Sequence, residues 1–236
     1  MRYAGLVLVL SLAAVPLAAQ EEAATSATLA RCNAGEAGAC VRLAQLLAQG
    51  IGISADPARA VRVSLQACDL GAPEGCTQLG RWYQRGLYVG SDPGRALALF
   101  RRACDAMDPE GCQAAASAYE NGEGVVPSLE TALSFAQRAC DAGGGRACLQ
   151  LGERYEQGVG PTFRNEGRAA ALYQRGCELE EANSCVRLGT MYHEGRGVGQ
   201  DDDRARNLYR RACDIGNNAA CHLFPLLRDG LPIGRP

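Results

Sequence analysis

The feature that most constrains this chain is a pair of cysteines eight positions apart, written six times: Cys32 with Cys40, Cys68 with Cys76, Cys104 with Cys112, Cys140 with Cys148, Cys177 with Cys185, and Cys213 with Cys221. The pairs use all 12 cysteines, and their first members follow one another at 36, 36, 36, 37 and 36 residues. A fixed period of this length is the mark of a solenoid, whose repeats bury their apolar faces against their neighbours. Eight residues along one unbroken helix separate two Cα atoms by roughly 12 Å, whereas a disulfide needs them within about 7 Å. Bonded pairs therefore require the chain to reverse between the cysteines. Turn formers stand there in Asn33-Ala34-Gly35, Leu70-Gly71-Ala72-Pro73, Met107-Asp108-Pro109, Gly143-Gly144-Gly145 and Ile215-Gly216-Asn217-Asn218. The pair of Cys177 and Cys185 is the exception, with Glu180-Glu181-Ala182-Asn183 and neither Gly nor Pro.

Zinc is a poor alternative, because structural zinc sites favour cysteines two to four residues apart, often with histidine. Seven residues intervene in every pair here, and the only histidines are His193 and His222. The even cysteine count goes with an N-terminus that reads as an export signal. Arg2 precedes the apolar run Leu6 to Ala14 and the small-residue end Pro16-Leu17-Ala18-Ala19, with cleavage expected after Ala19. The run is too short to span a bilayer comfortably, so no stable membrane insertion is expected after cleavage. Disulfides in an oxidising compartment, secreted or periplasmic, follow from the two features together. Each would close a short loop contributing roughly 2–3 kcal/mol in the chain-entropy account.

Composition narrows function by exclusion. A formal net charge of −2 gives no reason to propose nucleic acid as a partner. All 24 basic residues are Arg, which the codon bias of a GC-rich genome explains. The absence of Lys removes the Walker phosphate loop, Schiff-base chemistry and the Ser-x-x-Lys nucleophile. No cofactor and no metal are called for.

In chain order, residues 1–19 read as the signal peptide and 20–37 as an Ala-rich lead-in with a capping helix ending at Cys32. Residues 38–230 read as five repeats plus a terminal helix containing Pro225, and 231–236 as a tail. Each repeat is a first helix from the second cysteine of one pair to a Gly, a loop, and a second helix running to the next cysteine. Asp56-Pro57 and Asp92-Pro93 are N-caps followed by proline at the first helical position. Counting from the second cysteine, offset three holds Leu43, Leu79, Ala115, Leu151 and Leu188. Offset four holds Ala44, Gly80, Ala116, Gly152 and Gly189, and offset seven Leu47, Tyr83, Tyr119, Tyr155 and Tyr192. Offsets zero, three, four and seven share one side of a 3.6-residue helix. Small residues at offset four admit a close neighbouring helix. Gly50, Gly86, Gly122, Gly158 and Gly195 at offset ten suit a left-handed helix end. The second helix carries Ala60, Ala96, Ala132, Ala169 and Ala205, with bulky residues such as Leu99-Phe100, Leu172-Tyr173 and Leu208-Tyr209 further along. One extra residue in repeat four falls between Gly158 and Ala169, in the loop.

Leu79-Gly80-Arg81-Trp82-Tyr83-Gln84-Arg85-Gly86, Leu151-Gly152 to Gly158 and Leu188-Gly189 to Gly195 resemble the Sel-1-like repeat, a relative of the tetratricopeptide repeat. The cysteine spacing narrows the resemblance to the secreted, cysteine-rich Hcp subfamily, over about residues 30 to 230. Leu43-Ala44, Ala115-Ala116 and Pro225 depart from the pattern. The resemblance implies an all-α, right-handed α/α solenoid of helix-turn-helix repeats clasped by disulfides, with the first helices lining its concave side.

On that reading, residues away from the framework face form an extended polar groove for a peptide or protein partner. Offset two supplies Arg42, Gln78, Gln150 and Arg187, offset five Gln45, Arg81 and Glu153, and offset nine Arg85. Offset six, alongside, holds Leu46, Trp82, Ala118, Arg154 and Met191, of which Trp82, Arg154 and Met191 join the candidate groove. Trp and Arg are frequent binding hot spots; Trp82 is equally placed to pack on a neighbouring repeat. The alternative function is that of Hcp proteins labelled β-lactamase or penicillin-binding, with cell-wall fragments as ligands. Without Lys the usual serine mechanism is unavailable, and His193 and His222 have no evident partner. The acids that follow the first cysteine (Asp69, Asp105, Asp141, Glu178, Asp214) sit unfavourably at a helix C-terminus, so Arg partners are expected.

Overall fold

The computed structural model describes residues 17–160 and 162–228, and all regular structure among these is helical. Helix α1 (Leu17–Asn33) precedes five helix pairs. These are α2 (Ala37–Gln49) with α3 (Pro57–Asp69), α4 (Pro73–Arg85) with α5 (Pro93–Asp105), α6 (Pro109–Asn121) with α7 (Leu129–Asp141), α8 (Gly145–Gln157) with α9 (Glu166–Glu178), and α10 (Ala182–Glu194) with α11 (Asp202–Ile215). Helix α12 (Asn218–Arg228) packs on α11. Residues 1–16, most of the expected leader, and the tail 231–236 lie outside the described residues. The pairs stack as a solenoid. First helices of neighbouring repeats touch directly, α2 with α4, α4 with α6 and α8 with α10.

All six expected cysteine pairs are bonded. Cys32 is joined to Cys40, Cys68 to Cys76 and Cys104 to Cys112, with Cα–Cα separations of 4.6, 4.8 and 4.4 Å. Cys140 is joined to Cys148, Cys177 to Cys185 and Cys213 to Cys221, at 4.7, 4.6 and 4.8 Å. The second cysteines, Cys40, Cys76, Cys112, Cys148 and Cys185, are buried in the first turn of the five first helices, and Cys221 on α12 is half-buried. The reversal that permits bonding is the same each time. The N–H four residues past the first cysteine donates to the carbonyl one residue before it, as in Ala72 to Ala67, Asp108 to Ala103 and Glu181 to Gly176. This is the six-to-one closure of a helix end, and it places one residue in the left-handed region. Gly35, Gly71, Gly143 and Gly216 occupy that position in four units, but Met107 (φ 62°) and Glu180 (φ 61°) occupy it in the other two. The turn between Cys177 and Cys185, which lacks Gly and Pro, therefore follows the common course by holding Glu180 in a conformation that disfavours it.

The loop inside each repeat is closed differently. The five offset-ten glycines end their helices with φ between 66° and 73°. The N-cap of the second helix then returns its N–H to the carbonyl at offset seven, as in Asp56 to Leu47, Asp92 to Tyr83 and Asp201 to Tyr192. Side chains of Asp56, Asp92, Ser128, Asn165 and Asp201 accept the N–H three residues on, satisfying one orphan donor of each second helix. In repeats two, four and five the residue whose N–H is capped is an Arg whose guanidinium lies over the offset-seven tyrosine: Arg95 on Tyr83, Arg168 on Tyr155 and Arg204 on Tyr192, at 4.6 to 5.7 Å.

Within a repeat the small and large columns interlock. A Cβ on Gly80 would lie 2.5 Å from the Phe100 ring, and one on Gly152 would lie 2.6 Å from Tyr173. Where offset four is Ala, at Ala44 and Ala116, the facing residue of the second helix is small instead, Ser64 and Ala136. On the second helices, Arg102 bonds Asp69 and Arg138 bonds Asp105, each at 2.8 Å. Asp69 and Asp105 thus have the Arg partners expected of acids at helix C-termini, whereas Asp141 and Glu178 accept from Gln137 and Gln174 of their own helices.

Candidate functional site: the inner groove

The first helices put a chain of depressions along one face. Gln45, Gln78, Arg81 and Arg85 line one of about 600 Å3, walled by Trp82 and by Glu110 of the next repeat. Arg81, Gln113 and Gln150 border a second of about 530 Å3. Gln150, Glu153 and Arg154 border a third of about 410 Å3. The structure thus brings seven of the expected groove residues together around contiguous depressions. Arg42 is exposed on α2 before Gln45, and Arg187 is exposed on α10. No cysteine lines these three depressions, so the clasps support the groove without entering it.

Side chains cross the groove from repeat to repeat as rungs. Arg81 bonds Glu110 at 2.9 Å, Arg154 bonds Glu120 at 2.6 Å, and Arg187 bonds Glu153 at 3.2 Å. Gln113 pairs with Gln150. These are solvent-exposed contacts worth about 0–1 kcal/mol each, so they hold the wall in register while remaining exchangeable for ligand contacts. Oε1 of Gln78 is buried at the first depression and is bonded by no other protein group.

Offset six requires correction. Met191 is 0 % exposed in the core with Tyr173, Ala169 and Leu188, and Trp82 is 8 % exposed among Leu43, Leu47, Ala60 and Val63. Both side chains turn toward the preceding repeat, so neither presents a surface to the groove beyond the edge of Trp82. Tyr88 covers that indole edge-on at 5.3 Å.

Between repeats four and five lies a connected polar cluster that the sequence columns did not reveal. Tyr173 donates its hydroxyl to Glu156 at 2.6 Å, and Arg196, on the loop of repeat five, bonds Glu156 at 2.9 Å and Glu194 at 2.5 Å. Burial disfavours the charged Glu156 carboxylate, but hydrogen bonds from Tyr173 and Arg196 outweigh it and hold its pKa below the usual range. Burial, with the hydrogen bond to Glu156, pushes the Tyr173 phenol up. The cluster fastens one repeat's loop to its predecessor. The missed signal was Glu156 at offset eight and Arg196 at offset eleven, opposite charges one repeat apart.

His193, read as partnerless, has a partner: its Nδ1 is 2.6 Å from Asp202 Oδ1. Among the described residues no hydroxyl or thiol is hydrogen-bonded to this ring, so the pair lacks a nucleophile to activate. Also among the described residues, no three His, Cys, Asp or Glu side chains are grouped to hold a metal ion, and no helix is long and apolar enough to cross a membrane.

Comparison with known proteins gives this geometry its context. The Sel1 repeat family model matches residues 37–71, 73–106, 109–144, 145–180 and 182–217. No curated protein matches the chain. Among solved structures, a protective antigen present in uropathogenic Escherichia coli strains and displaying an SLR fold is similar at 28% identity and a TM-score of 0.72, covering 88% of this chain and 44% of that one. The chain thus spans less than half of that protein. A Sel1 repeat protein from Oxalobacter formigenes is similar at 26% identity and a TM-score of 0.66, over 83% of this chain and 86% of that one. Helicobacter pylori cysteine rich protein B shares 24% identity over 56% of this chain and 95% of its own, with a TM-score of 0.45.

Proposed function

Since this chain belongs to the Sel1 repeat family, a scaffold fold that typically serves protein–protein interaction, we propose that it is an extracytoplasmic adaptor that binds a peptide or protein segment along its inner groove. The observation that carries this reading is the run of contiguous depressions lined by residues that differ from repeat to repeat, Gln45, Gln78, Arg81, Arg85, Gln150, Glu153 and Arg154. Framework residues repeat because packing demands it. Groove residues are free to vary because they face outward, and varied polar groups on a rigid support suit sequence-specific recognition. Six disulfides favour an oxidising compartment for such a protein. The leader read in residues 1–19 would deliver it there, and the spacing of its clasps supports a position in the cysteine-rich Hcp branch of the family.

Sel1-repeat scaffolds are generally non-enzymatic, and nothing in this chain's residues points to catalysis; nitrocefin turnover by the purified oxidised protein would reverse that reading. The binding proposal is tested by selecting displayed random peptides on the oxidised protein and retesting them on a variant carrying Arg81→Glu and Arg85→Glu. Loss of binding with an unchanged melting temperature is expected. Equal binding by both proteins would count against the groove. Trp82→Ala is unsuitable as a test, because truncating a buried Trp costs about 3–5 kcal/mol in stability by itself.

A further inference from the structure

Each junction between consecutive repeats is closed from two sides. One position is on the second helix of the earlier repeat (Ser64, Phe100, Ala136, Tyr173), and the other is offset six on the first helix of the later repeat (Trp82, Ala118, Arg154, Met191). Three junctions receive a large apolar plug from at least one side. Trp82 fills the first, against Leu47, Ala60 and Val63. Phe100 fills the second, against Ala115 and Ala116. Tyr173 and Met191 together fill the fourth. The third junction has Ala136 on one side and Arg154 on the other, so nothing fills it. Ser64, Phe100 and Tyr173 are buried, whereas their counterpart Ala136 is only half-buried.

The gap is the depression of about 410 Å3 described above. Its floor is apolar, from Ala116, Ala132, Ala136 and Leu151, and its rim carries Glu120, Glu153 and Arg154. The volume lies within the roughly 300–1,000 Å3 of ligand pockets. The one ring carried nearby on α7, Phe135, is turned away and stacks on Tyr119 at 5.4 Å with planes 13° apart. Arg154, held by Glu120, stands at the mouth, where a guanidinium can lie over a ring.

We propose that this unplugged junction is the anchor pocket of the groove, and that it receives an aromatic side chain of a bound peptide in the place that Trp82 occupies at the first junction, where offset four is likewise alanine (Ala44). The inference rests on the groove reading for its peptide and adds the chemistry of the anchor. An aromatic group suits the slot because the first junction, which has the same small residues (Ala44 and Ser64 there, Ala116 and Ala136 here), is filled by the indole of Trp82. Buried aromatic anchors flanked by polar rims are also the usual source of binding energy in such contacts. Side chains of Gln113 and Gln150 on the adjoining wall then face the peptide backbone.

The test uses N-acetyl-tyrosinamide and N-acetyl-leucinamide as probes on the full oxidised protein, followed by methyl NMR, with Arg154→Trp and Arg154→Met as plugged variants. The tyrosine amide is expected to shift the methyls of Ala116, Ala132, Ala136 and Leu151 saturably, and the leucine amide to bind more weakly. Either plug should weaken the tyrosine amide at least about tenfold, with melting temperature held or raised. Two plugs of different size guard against one of them misfolding. No shift at these methyls up to the solubility limit, or shifts unchanged in both folded variants, would overturn the pocket. Selected peptides that bind the groove with no aromatic preference, and bind plugged variants as well as wild type, would overturn the pocket and leave the groove standing. Shifts by the tyrosine amide with no peptide binding at all would support the pocket and remove the groove.

Discussion

The two kinds of turn in this solenoid solve the same problem with different tolerances. Between repeats, where a disulfide straddles the turn, the left-handed position is open: a Cβ on Gly35, Gly71, Gly143 or Gly216 would meet nothing within 4 Å. Met107 and Glu180 accordingly stand there, bearing only the backbone cost of a positive φ. Inside repeats there is no covalent clasp, and the loop is shut by hydrogen bonds and by contact. A Cβ on Gly124 would lie 2.5 Å from the Pro93 carbonyl carbon, and one on Gly197 would come closer still to that of Glu166. These loops press on the helix start of the preceding or following element against which they stack, Gly124 on α5 and Gly197 on α9, and so hold the stack together sideways. The clasped edge is open at all four of its glycines; the loop edge is tight at Gly52, Gly124 and Gly197, but Gly160 is uncrowded and repeat two carries Tyr88 (φ 66°) at the same place.

That contrast is open to direct attack. The largest effect is expected at the loop edge: Gly197→Ala combines a left-handed conformation with overpacking against backbone and should cost about 3 kcal/mol in urea unfolding. A similar loss is expected for Gly124→Ala; an effect near zero for both would mean that the loops do not bear on the preceding helices. Next comes the clasp, where replacing both Cys68 and Cys76 by Ala should cost roughly 2–3 kcal/mol in unfolding carried out without reductant. Gly71→Ala, strained in φ but in open space, should cost only about 1 kcal/mol. In the opposite direction, Met107→Gly and Glu180→Gly should each stabilise by up to about 1 kcal/mol, read as a raised urea midpoint; a lowered midpoint would show that those side chains make contacts worth more than the strain.

The smallest change is one of slope. The Glu156 carboxyl is held below its ordinary range, so its contribution is complete above the unfolded pKa, about 4.3, and is lost as pH falls through the lower folded value. Glu156→Gln should therefore flatten the acid limb of the stability profile below about pH 4.5. An unchanged limb would remove the loop-fastening role given to its contacts with Tyr173 and Arg196.

Much of this was legible from spacing alone. A cysteine pair at eight residues can close only across a turn, and Gly at offset ten can end a helix only one way; both arise from local geometry that repeats with the sequence. Offset six was misjudged for a physical reason. The helical wheel of one amphipathic helix has one buried side, but a first helix of a solenoid is covered by its own partner and also, along one flank, by the preceding repeat. Trp82 and Met191 lie on that flank, roughly 240° round from the second cysteine; Met191 was counted as groove, whereas for Trp82 packing on a neighbouring repeat stood as the equal alternative. Offset nine is exposed in all five repeats, whereas offsets two and five are partly covered, as at Gln78, Gln150 and Glu153. Arg154 stands on the covered flank yet keeps its charge, and only comparison with Trp82, Ala118 and Met191 in three dimensions shows how unlike them it is.

Because every disulfide joins residues eight apart in sequence, none depends on a distant part of the chain having arrived. A chain emerging N-terminus first can oxidise each pair while the next is still out of reach, so the order of emergence does the work of proofreading. Twelve thiols admit a very large number of pairings, but nearest-neighbour closure in sequence leads to a single one. Contacts that span one repeat at most keep contact order low and folding fast. A solenoid stapled in this manner can be lengthened by whole repeats without adding a disulfide-sorting problem.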